Sequence, residues 1–285
     1  MPYICVNDVD HYYEWVTQGK GTPGSEKPVM AFIHGWGGSA RYWRSTALKL
    51  SDRYDALLYD MRGFGRSHLA PDLCDTIRAR GYELDTFADD FVALLDALGI
   101  DRVDLNAHSM GGSVAVLMLN RYSDRVHKAV LTCNGIFEYD RVAFEAFYRF
   151  GKYVVQFRPQ WLAKVPLAPY FFMTRFIHQS IPVEEKRAFL QDFLDADYET
   201  ALGTIFTSVS KEATEVMPIE FQRLSVPTLL VSGQYDQIIP AELGQKAAAL
   251  NPQVQYSLIP KTGHFPMLEA PHIYMEAVTN FLETA

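Results

Sequence analysis

Ser109 is the residue whose setting most clearly indicates covalent chemistry. It lies near the end of the run Val103-Asp-Leu-Asn-Ala-His-Ser-Met-Gly-Gly112, and a helical pattern follows at residues 114–122. A serine on a tight turn from strand to helix needs small residues two positions before and after it, and Ala107 and Gly111 meet that need. Glycine is usual at both positions, so Ala107 adds one methyl group. The turn predicts an accessible nucleophile, although such a serine can also simply cap the next helix.

A serine alcohol is a weak nucleophile at neutral pH and needs a base, which in turn needs an orienting acid. Asp236 follows an apolar run at residues 228–231, and His264 follows the next strand signal, 28 residues further on. Because all three residues come after predicted strands, we expect a triad of Ser109, His264 and Asp236 at one sheet edge. The alternative for Asp236 is a turn residue whose carboxylate bonds its own backbone.

A glycine-rich turn could stabilise the charge that such chemistry creates. The turn His34-Gly-Trp-Gly-Gly38 follows the apolar run at residues 29–33. Its backbone N–H groups can point into the crevice that holds the serine. We expect the N–H of Trp36 and the N–H of Met110, the residue after the candidate nucleophile, to form an oxyanion hole for a tetrahedral intermediate.

Short apolar runs alternate with helical patterns over most of the chain. One helical stripe, formed by Phe87, Phe91 and Leu94 among others, begins after Asp85 and ends at Gly99. Strands are predicted at residues 3–7, 12–17, 29–33, 56–59, 103–106, 130–132, 228–231 and 255–259. This alternation predicts an α/β fold with a mostly parallel central β-sheet flanked by helices, in which ligands bind at the carboxyl ends of the strands.

The alternation stops at about residue 136 and resumes after residue 220, and helical spacing dominates in between. We therefore predict a core domain of residues 1–135 and 221–285, interrupted by a helical cap at residues 136–220. This cap segment holds 17 of the chain's 38 aromatic residues. The density indicates an apolar cavity beneath a cap, while most of these aromatics are expected to pack the cap onto the core.

Composition argues against several classes of protein. The chain has 26 Lys and Arg against 34 Asp and Glu, a net charge of −8, so we expect no nucleic-acid partner. Its three cysteines are far apart and suit neither a disulfide framework nor a zinc site, so we expect no metal and no cofactor. The amino terminus has no apolar stretch typical of a signal peptide, and residues 165–177, the most apolar segment, are too few to span a bilayer. These features predict a cytoplasmic protein without a transmembrane segment.

Taken together, the motifs resemble those of the α/β-hydrolase superfamily. The likeness spans nearly the whole chain and is closest to the capped branch that includes carboxylesterases and monoacylglycerol lipase-like enzymes. The matching motifs are His34-Gly-Trp-Gly-Gly38, Asp60-Met-Arg-Gly-Phe-Gly-Arg-Ser67, Ala107-His-Ser-Met-Gly-Gly112, Gly233-Gln-Tyr-Asp236 and Gly263-His-Phe-Pro266. The resemblance implies the α/β-hydrolase fold, with Ser109 as nucleophile, His264 as base and Asp236 as acid. Ala107 and the long stretch at residues 68–84 depart from the family pattern.

The resulting hypothesis is a serine esterase. Ser109, deprotonated by His264, would attack the carbonyl carbon of an ester with an apolar acyl or aryl group, and water would then release the acyl-enzyme. Three alternatives stay open. They are hydrolysis of a carbon–carbon bond in a vinylogous diketone, acyl transfer or perhydrolysis, and a receptor that keeps the triad and binds a ligand without rapid turnover.

Overall fold

The computed structural model describes residues 3–18, 22–70, 74–137, 141–208 and 210–284. Within that part, eight strands form one sheet in the order β1-β2-β4-β3-β5-β6-β7-β8. The strands are β1 (Tyr3–Val6), β2 (Val9–Val16), β3 (Val29–Ile33), β4 (Asp55–Tyr59), β5 (Val103–His108), β6 (Val126–Thr132), β7 (Thr228–Gly233) and β8 (Val254–Ile259). β1 and β2 pair antiparallel with their neighbours, and β3 to β8 are parallel.

Helices connect and cover these strands. Before β6 and after β7 lie α1 (Arg44–Leu50), α2 (Cys74–Arg80), α3 (Leu84–Ala97), α4 (Met110–Arg121), α10 (Ala241–Ala248), α11 (Pro266–Glu269) and α12 (Pro271–Glu283). Between β6 and β7 lie α5 (Arg141–Gln156), α6 (Ala168–Met173), α7 (Val183–Asp195), α8 (Tyr198–Ser208) and α9 (Lys211–Arg223). Short 3-10 helices occupy Ala40–Trp43 and Gln160–Lys164.

The sheet is buried on both faces, as the nearly continuous apolar runs of its strands require. Side chains alternate along β3, so Ala31 and Ile33 join the apolar cluster on one face while Met30 and Phe32 join the cluster on the other. The predicted stripe of α3 packs into the first cluster, and α1 and α12 contribute to the second. The predicted α/β fold with a mostly parallel central sheet is therefore confirmed.

Most strands are longer than predicted, and β6 exceeds its predicted length by the largest margin. β6 begins at Val126, four residues before the predicted start, because the polar residues His127 and Lys128 interrupt the apolar run on which the prediction depended. The five helices between β6 and β7 agree with the helical spacing of that segment. The last of them, α9, continues to Arg223, beyond the predicted end of the cap at residue 220.

Among the helices that the structure describes, none combines the length and the hydropathy needed to span a bilayer.

Candidate active site

Ser109 lies on the tight turn between β5 and α4. Its backbone adopts φ +53° and ψ −123°, a conformation that non-glycine residues rarely take. The serine occupies the position that precedes α4, but its side chain makes no capping hydrogen bond to that helix. The adjoining turn is tightly packed, because a Cβ at Gly111 would lie 2.3 Å from the carbonyl oxygen of His34. A strained turn of this kind presents the hydroxyl at the sheet edge.

The structure brings Ser109, His264 and Asp236 together at that edge. The Nε2 atom of His264 is 3.0 Å from Ser109 Oγ, and its Nδ1 atom is 2.7 Å from Asp236 Oδ2. The three residues follow β5, β8 and β7, whose carboxyl ends meet at one edge because these strands are parallel. The loops after β7 and β8 pass in direct contact, since a Cβ at Gly233 would lie 1.9 Å from the carbonyl oxygen of Gly263.

Asp236 is both a turn residue bonded to its own backbone and a hydrogen-bond partner of His264, the two roles that its position in the sequence allows. Its Oδ1 accepts the N–H of Ile238 at 2.8 Å and of Ile239 at 3.0 Å, as a turn residue would, while Oδ2 faces His264. Burial alone would raise the pKa of Asp236, but attraction to His264 and these hydrogen bonds hold it below its ordinary value. An ionised carboxylate can only accept, so the His264 proton lies on Nδ1 and Nε2 can accept the Ser109 hydroxyl proton.

The glycine-rich turn after β3 packs directly against the serine. A Cβ at Gly35 would lie 3.1 Å from Ser109 Cβ. Trp36 lies in the wall of the adjacent cavity, and its indole Nε1 donates to the carbonyl oxygen of Ala201 in α8 at 3.0 Å. Within the described residues, the backbone N–H groups of Trp36 and Met110 have no protein acceptor. Both amides are therefore free to bind an oxyanion.

Tyr42 and His108 form a hydrogen-bonded connection that the sequence analysis did not identify. The N–H of Gly35 donates to Tyr42 Oη at 2.6 Å, and the Tyr42 hydroxyl lies 2.9 Å from His108 Nδ1. His108 Nε2 lies 2.8 Å from the carbonyl oxygen of His264. Burial, together with the neighbouring His264, lowers the pKa of His108 well below its ordinary value, so the ring is neutral. Nε2–H then donates to the carbonyl, and Nδ1 accepts the hydroxyl proton.

Glu269 is a second residue that the sequence analysis missed. Its buried carboxylate accepts the backbone N–H groups of Gly263 at 2.9 Å and Phe265 at 3.2 Å, the two neighbours of His264. It also accepts the N–H groups of His178 at 2.7 Å and Gln179 at 2.8 Å, which precede α7. One carboxylate thus joins the loop that carries His264 to the segment between β6 and β7. No residue pattern near Glu269 distinguishes it from an ordinary helical glutamate.

A cavity of about 100 Å³ opens beside Ser109. None of the residues that line it carries a Lys, Arg, Asp or Glu side chain. Its wall is formed by the glycine-rich turn, by Tyr42 and Ile238, and by α6, α7 and their neighbours. The residues from α6, α7 and the segment between them are Phe172, Met173, Phe176, Phe189 and Phe193, and Phe265 from the loop after β8 adds another aromatic ring. Such a cavity favours an uncharged, apolar group next to the serine.

One buried cluster in the described part of the chain holds metal-ligand atom types in close proximity. Ligand atoms of His108, Cys133 and His264 lie within 4.8 Å of one another. However, all four ring nitrogens already contact protein groups, namely Tyr42, Ser109, Asp236 and the His264 carbonyl. Burial also raises the pKa of the Cys133 thiol well above its ordinary value, which disfavours the thiolate that a metal binds. The cluster is accounted for by these hydrogen bonds.

Comparison with known proteins agrees with this architecture. A family described as the alpha/beta hydrolase fold matches residues 28–271. The chain belongs to the α/β-hydrolase family. The resemblance inferred from the five motifs is therefore confirmed, and with it the assignment of the sheet and its flanking helices to the α/β-hydrolase fold.

Relatives within the α/β-hydrolase family cover nearly the whole chain. A bifunctional esterase/perhydrolase from Acinetobacter calcoaceticus is 27% identical over 265 residues, which are 88% of each chain. A 2-(acetamidomethylene)succinate hydrolase from Mesorhizobium japonicum is 24% identical over 267 residues, 90% of this chain and 88% of its own. The solved structure of a thermophilic esterase from Thermogutta terrifontis has a TM-score of 0.76 at 25% identity and covers 98% of this chain and 97% of its own. Together they support a hydrolase.

Proposed function

We propose that this α/β hydrolase is a serine esterase that cleaves a carboxylic ester with an apolar acyl or aryl group. The observation that carries the proposal is the hydrogen-bonded series from Asp236 through His264 to Ser109, with atoms 2.7 and 3.0 Å apart. A neutral imidazole with an ionised acid behind it is the arrangement that activates a serine hydroxyl.

The proposed reaction follows from these contacts. His264 Nε2 accepts the Ser109 proton as Oγ attacks the ester carbonyl carbon, and Asp236 stabilises the imidazolium that forms. The N–H groups of Trp36 and Met110 bind the oxyanion, and each donor of this kind is worth about 100 to 1,000-fold in rate. His264 then protonates the departing alcohol. Water, deprotonated by the same imidazole, attacks the acyl-enzyme and releases the acid.

The walls of the cavity support an apolar substrate group. Phe172, Phe189 and Phe193 supply aromatic surface, and the lining residues include no Lys, Arg, Asp or Glu. As part of the proposal, residues 136–220 form a cap over a core of residues 1–135 and 221–285, since α6 and α7 provide much of the wall. An ester of medium chain length or with an aromatic ring fits this surface best.

The residues that line the cavity also bear on the three alternative functions, which are carbon–carbon bond hydrolysis, perhydrolysis and ligand reception. Cleavage of a vinylogous diketone would require a cationic side chain to bind the substrate carboxylate, and the lining residues include no Lys or Arg. Perhydrolysis uses the same acyl-enzyme with hydrogen peroxide in place of water, and the esterase/perhydrolase from Acinetobacter calcoaceticus makes it the second candidate. A ligand receptor would bind in this cavity but turn over slowly.

The first experiment is labelling with a fluorophosphonate, which reacts only with an activated serine. We expect the wild-type protein and Ser113→Ala to be labelled and Ser109→Ala to be inert. Ser113 is a suitable control because it lies one helical turn further along α4, where its hydroxyl accepts a hydrogen bond from Asn134. Labelling of Ser109→Ala at the wild-type rate would overturn the serine mechanism.

The second experiment is turnover of a series of p-nitrophenyl esters from acetate to decanoate. We expect kcat/KM to rise from acetate to a medium-length chain, because additional methylene groups are buried against the aromatic wall. Product analysis with added hydrogen peroxide separates the candidates, since a peracid identifies perhydrolysis. Tight ester binding with background turnover would instead favour the receptor.

A further inference from the structure

The segment from residue 146 to residue 183 differs in charge from the rest of the chain. It contains five Lys or Arg residues and no Asp or Glu, whereas the whole chain has a net charge of −8. The remainder of the chain therefore carries −13. We call residues 146–183 the basic segment. It includes the end of α5, the 3-10 helix Gln160–Lys164 and all of α6.

The basic segment also exposes large apolar side chains to solvent. Phe171 is 73% exposed, Phe157 and Tyr153 are each 69% exposed, Leu167 is 59% exposed and Trp161 is 56% exposed. Isolated apolar residues on a surface are ordinary, but five large ones within 19 residues are not. We call Tyr153, Phe157, Trp161, Leu167 and Phe171 the aromatic surface.

The elements that carry these side chains pack against one apolar cluster. Leu190, Phe193 and Leu194 of α7 form a small apolar cluster. Packed against it are residues of α5, of the 3-10 helix and of α6, namely Val154, Leu162, Ala168 and Phe172. Each of them is a sequence neighbour of a residue of the aromatic surface. The elements that carry the exposed side chains are therefore held together by one apolar cluster.

Basic side chains accompany the aromatic surface. Arg149, Lys152, Lys164 and Arg175 are all exposed. Within the described residues, none of the four forms an ion pair. Exposed aromatic rings together with unpaired Lys and Arg are the composition of protein surfaces that lie at the headgroup level of a membrane.

We propose that the aromatic surface docks on an anionic phospholipid membrane. Aromatic and leucine side chains would enter the headgroup region, and the surrounding Lys and Arg would be attracted to acidic lipids, which repel the rest of this acidic protein. The charge pattern also orients the molecule, because the basic segment contains no Asp or Glu whereas the rest of the chain carries a net charge of −13. A second copy fits less well, since a two-fold dimer would bring two basic segments together.

The position of the surface connects it with the cavity. Phe171 is exposed, while the next residues of the same helix, Phe172 and Met173, line the cavity beside Ser109. Docking therefore brings the cavity to within one helix thickness of the lipid. This link to substrate entry rests on the proposed function, whereas docking itself does not.

Vesicle flotation of the full chain tests the proposal. The Ser109→Ala protein is used so that binding is measured without turnover, with phosphatidylcholine vesicles prepared with and without phosphatidylserine. We expect binding only when phosphatidylserine is present, and release at high salt. In Phe171→Ser/Lys164→Glu we expect partitioning to fall at least ~10-fold, because each unit of charge near an anionic surface contributes about fivefold.

The control variant is Leu48→Ser/Lys49→Glu, which changes one exposed apolar and one exposed basic residue on α1. It should bind within about twofold of the parent. Failure to bind phosphatidylserine vesicles, equal binding to neutral vesicles, or equal loss in both double variants would overturn the proposal. Self-association that only Phe171→Ser/Lys164→Glu abolishes, without vesicle binding, would assign the surface to a second copy. If the proposed esterase function fails but flotation succeeds, docking stands alone.

Discussion

The sheet edge around Ser109 and the aromatic surface of the basic segment are organised in opposite ways. At the sheet edge, each ring nitrogen of His108 and His264 has a protein partner, and both oxygens of Asp236 accept hydrogen bonds. On the aromatic surface, side chains such as Phe171 and Trp161 face solvent. Within the described residues, the polar groups around Ser109 are therefore fixed by internal hydrogen bonds, whereas the aromatic surface leaves large apolar side chains in water.

α6 belongs to both regions. Phe172 and Met173 face the cavity beside Ser109, whereas Tyr170 and Phe171 are exposed. A helix with apolar residues on opposite sides is unfavourable in water, because its outer face exposes apolar surface to solvent. Contact of that face with another apolar medium would remove this cost. The exposed face is thus the feature that most distinguishes this segment from the remainder of the molecule.

The largest effect should come from Asp236→Asn. An asparagine can keep the turn bonds to Ile238 and Ile239 but cannot stabilise a charged His264, and it allows the wrong imidazole tautomer. We expect kcat for ester hydrolysis to fall by about 10⁴-fold with little loss of thermal stability. A decrease below tenfold would mean that bonding to this carboxylate does not organise the site.

Adding one methyl group, by a change from glycine to alanine, compares how tightly the chain is packed beside Ser109 and in α5. Gly111→Ala should lower the free energy of unfolding by about 3 kcal/mol, because its Cβ would meet the His34 carbonyl at 2.3 Å. Gly151→Ala in α5 is the matched variant, since its Cβ would lie 3.4 Å from Ile205. That change should stay within about 1 kcal/mol of the wild type. Equal effects in chemical denaturation would contradict the contrast.

Glu269→Gln probes the connection between the two regions. The amide retains the shape of the side chain but replaces one acceptor oxygen with an NH2 group that opposes the N–H donors. We expect a loss of stability of about 2 to 3 kcal/mol and a decrease in kcat of roughly tenfold, since the loop of His264 loses its anchor. Glu276→Gln on the exposed side of α12 should alter neither quantity, and wild-type values in both variants would argue against an anchor.

The smallest effect concerns Asp192, which attaches α7 to the core. It accepts a hydrogen bond from Ser39 and pairs with Arg41 at 2.9 Å. Burial, which outweighs these contacts, raises the pKa of Asp192 from 3.8 to about 6. The folded state then binds the proton more tightly than the unfolded state, so wild-type stability decreases as pH rises through this window.

Asp192→Asn removes that dependence. We expect the stability of the wild type relative to the variant to fall by about 1 kcal/mol per pH unit between pH 4 and pH 6 and to level off above pH 7. Urea denaturation of both proteins at several pH values measures the difference. A difference that does not change with pH would mean that the Asp192 carboxyl is not perturbed by its burial.

Much of the fold follows from local sequence patterns. The runs that became β3, β5 and β7 are short, apolar and bounded by turn residues, so their number and order could be predicted. The sheet edge followed from topology, because residues such as Asp236 and His264 that come after parallel strands must lie on the same side. β6 was predicted too short, since a strand can continue through polar residues such as His127 where its side chain is exposed.

Other features depend on packing that no local pattern records. Glu269 acquires its role from the backbone N–H groups of His178 and Gln179, and Tyr42 acquires its role from the imidazole of His108, and all of these partners are distant in the sequence. The aromatics of the segment between β6 and β7 were expected mostly to pack onto the core, and Phe157 and Trp161 are exceptions, because both are exposed. Helical spacing locates one apolar stripe but cannot tell whether a protein or another apolar medium covers it.

The bonds that Glu269 makes have a consequence for how a substrate can enter. The backbone of His264 also donates to the carbonyl oxygen of Phe176 at 2.6 Å, so residues 176–179 are joined by hydrogen bonds to the loop that carries His264. Swinging that end of the helical segment outward would break four hydrogen bonds, since the Gln179 side chain also donates to the carbonyl oxygen of Lys261 at 2.8 Å, and it would displace the imidazole from Ser109. If the segment between β6 and β7 opens to admit a substrate, it must therefore hinge near residues 176–179 and move at its other end. His264 then keeps its contact with Ser109 while the segment moves.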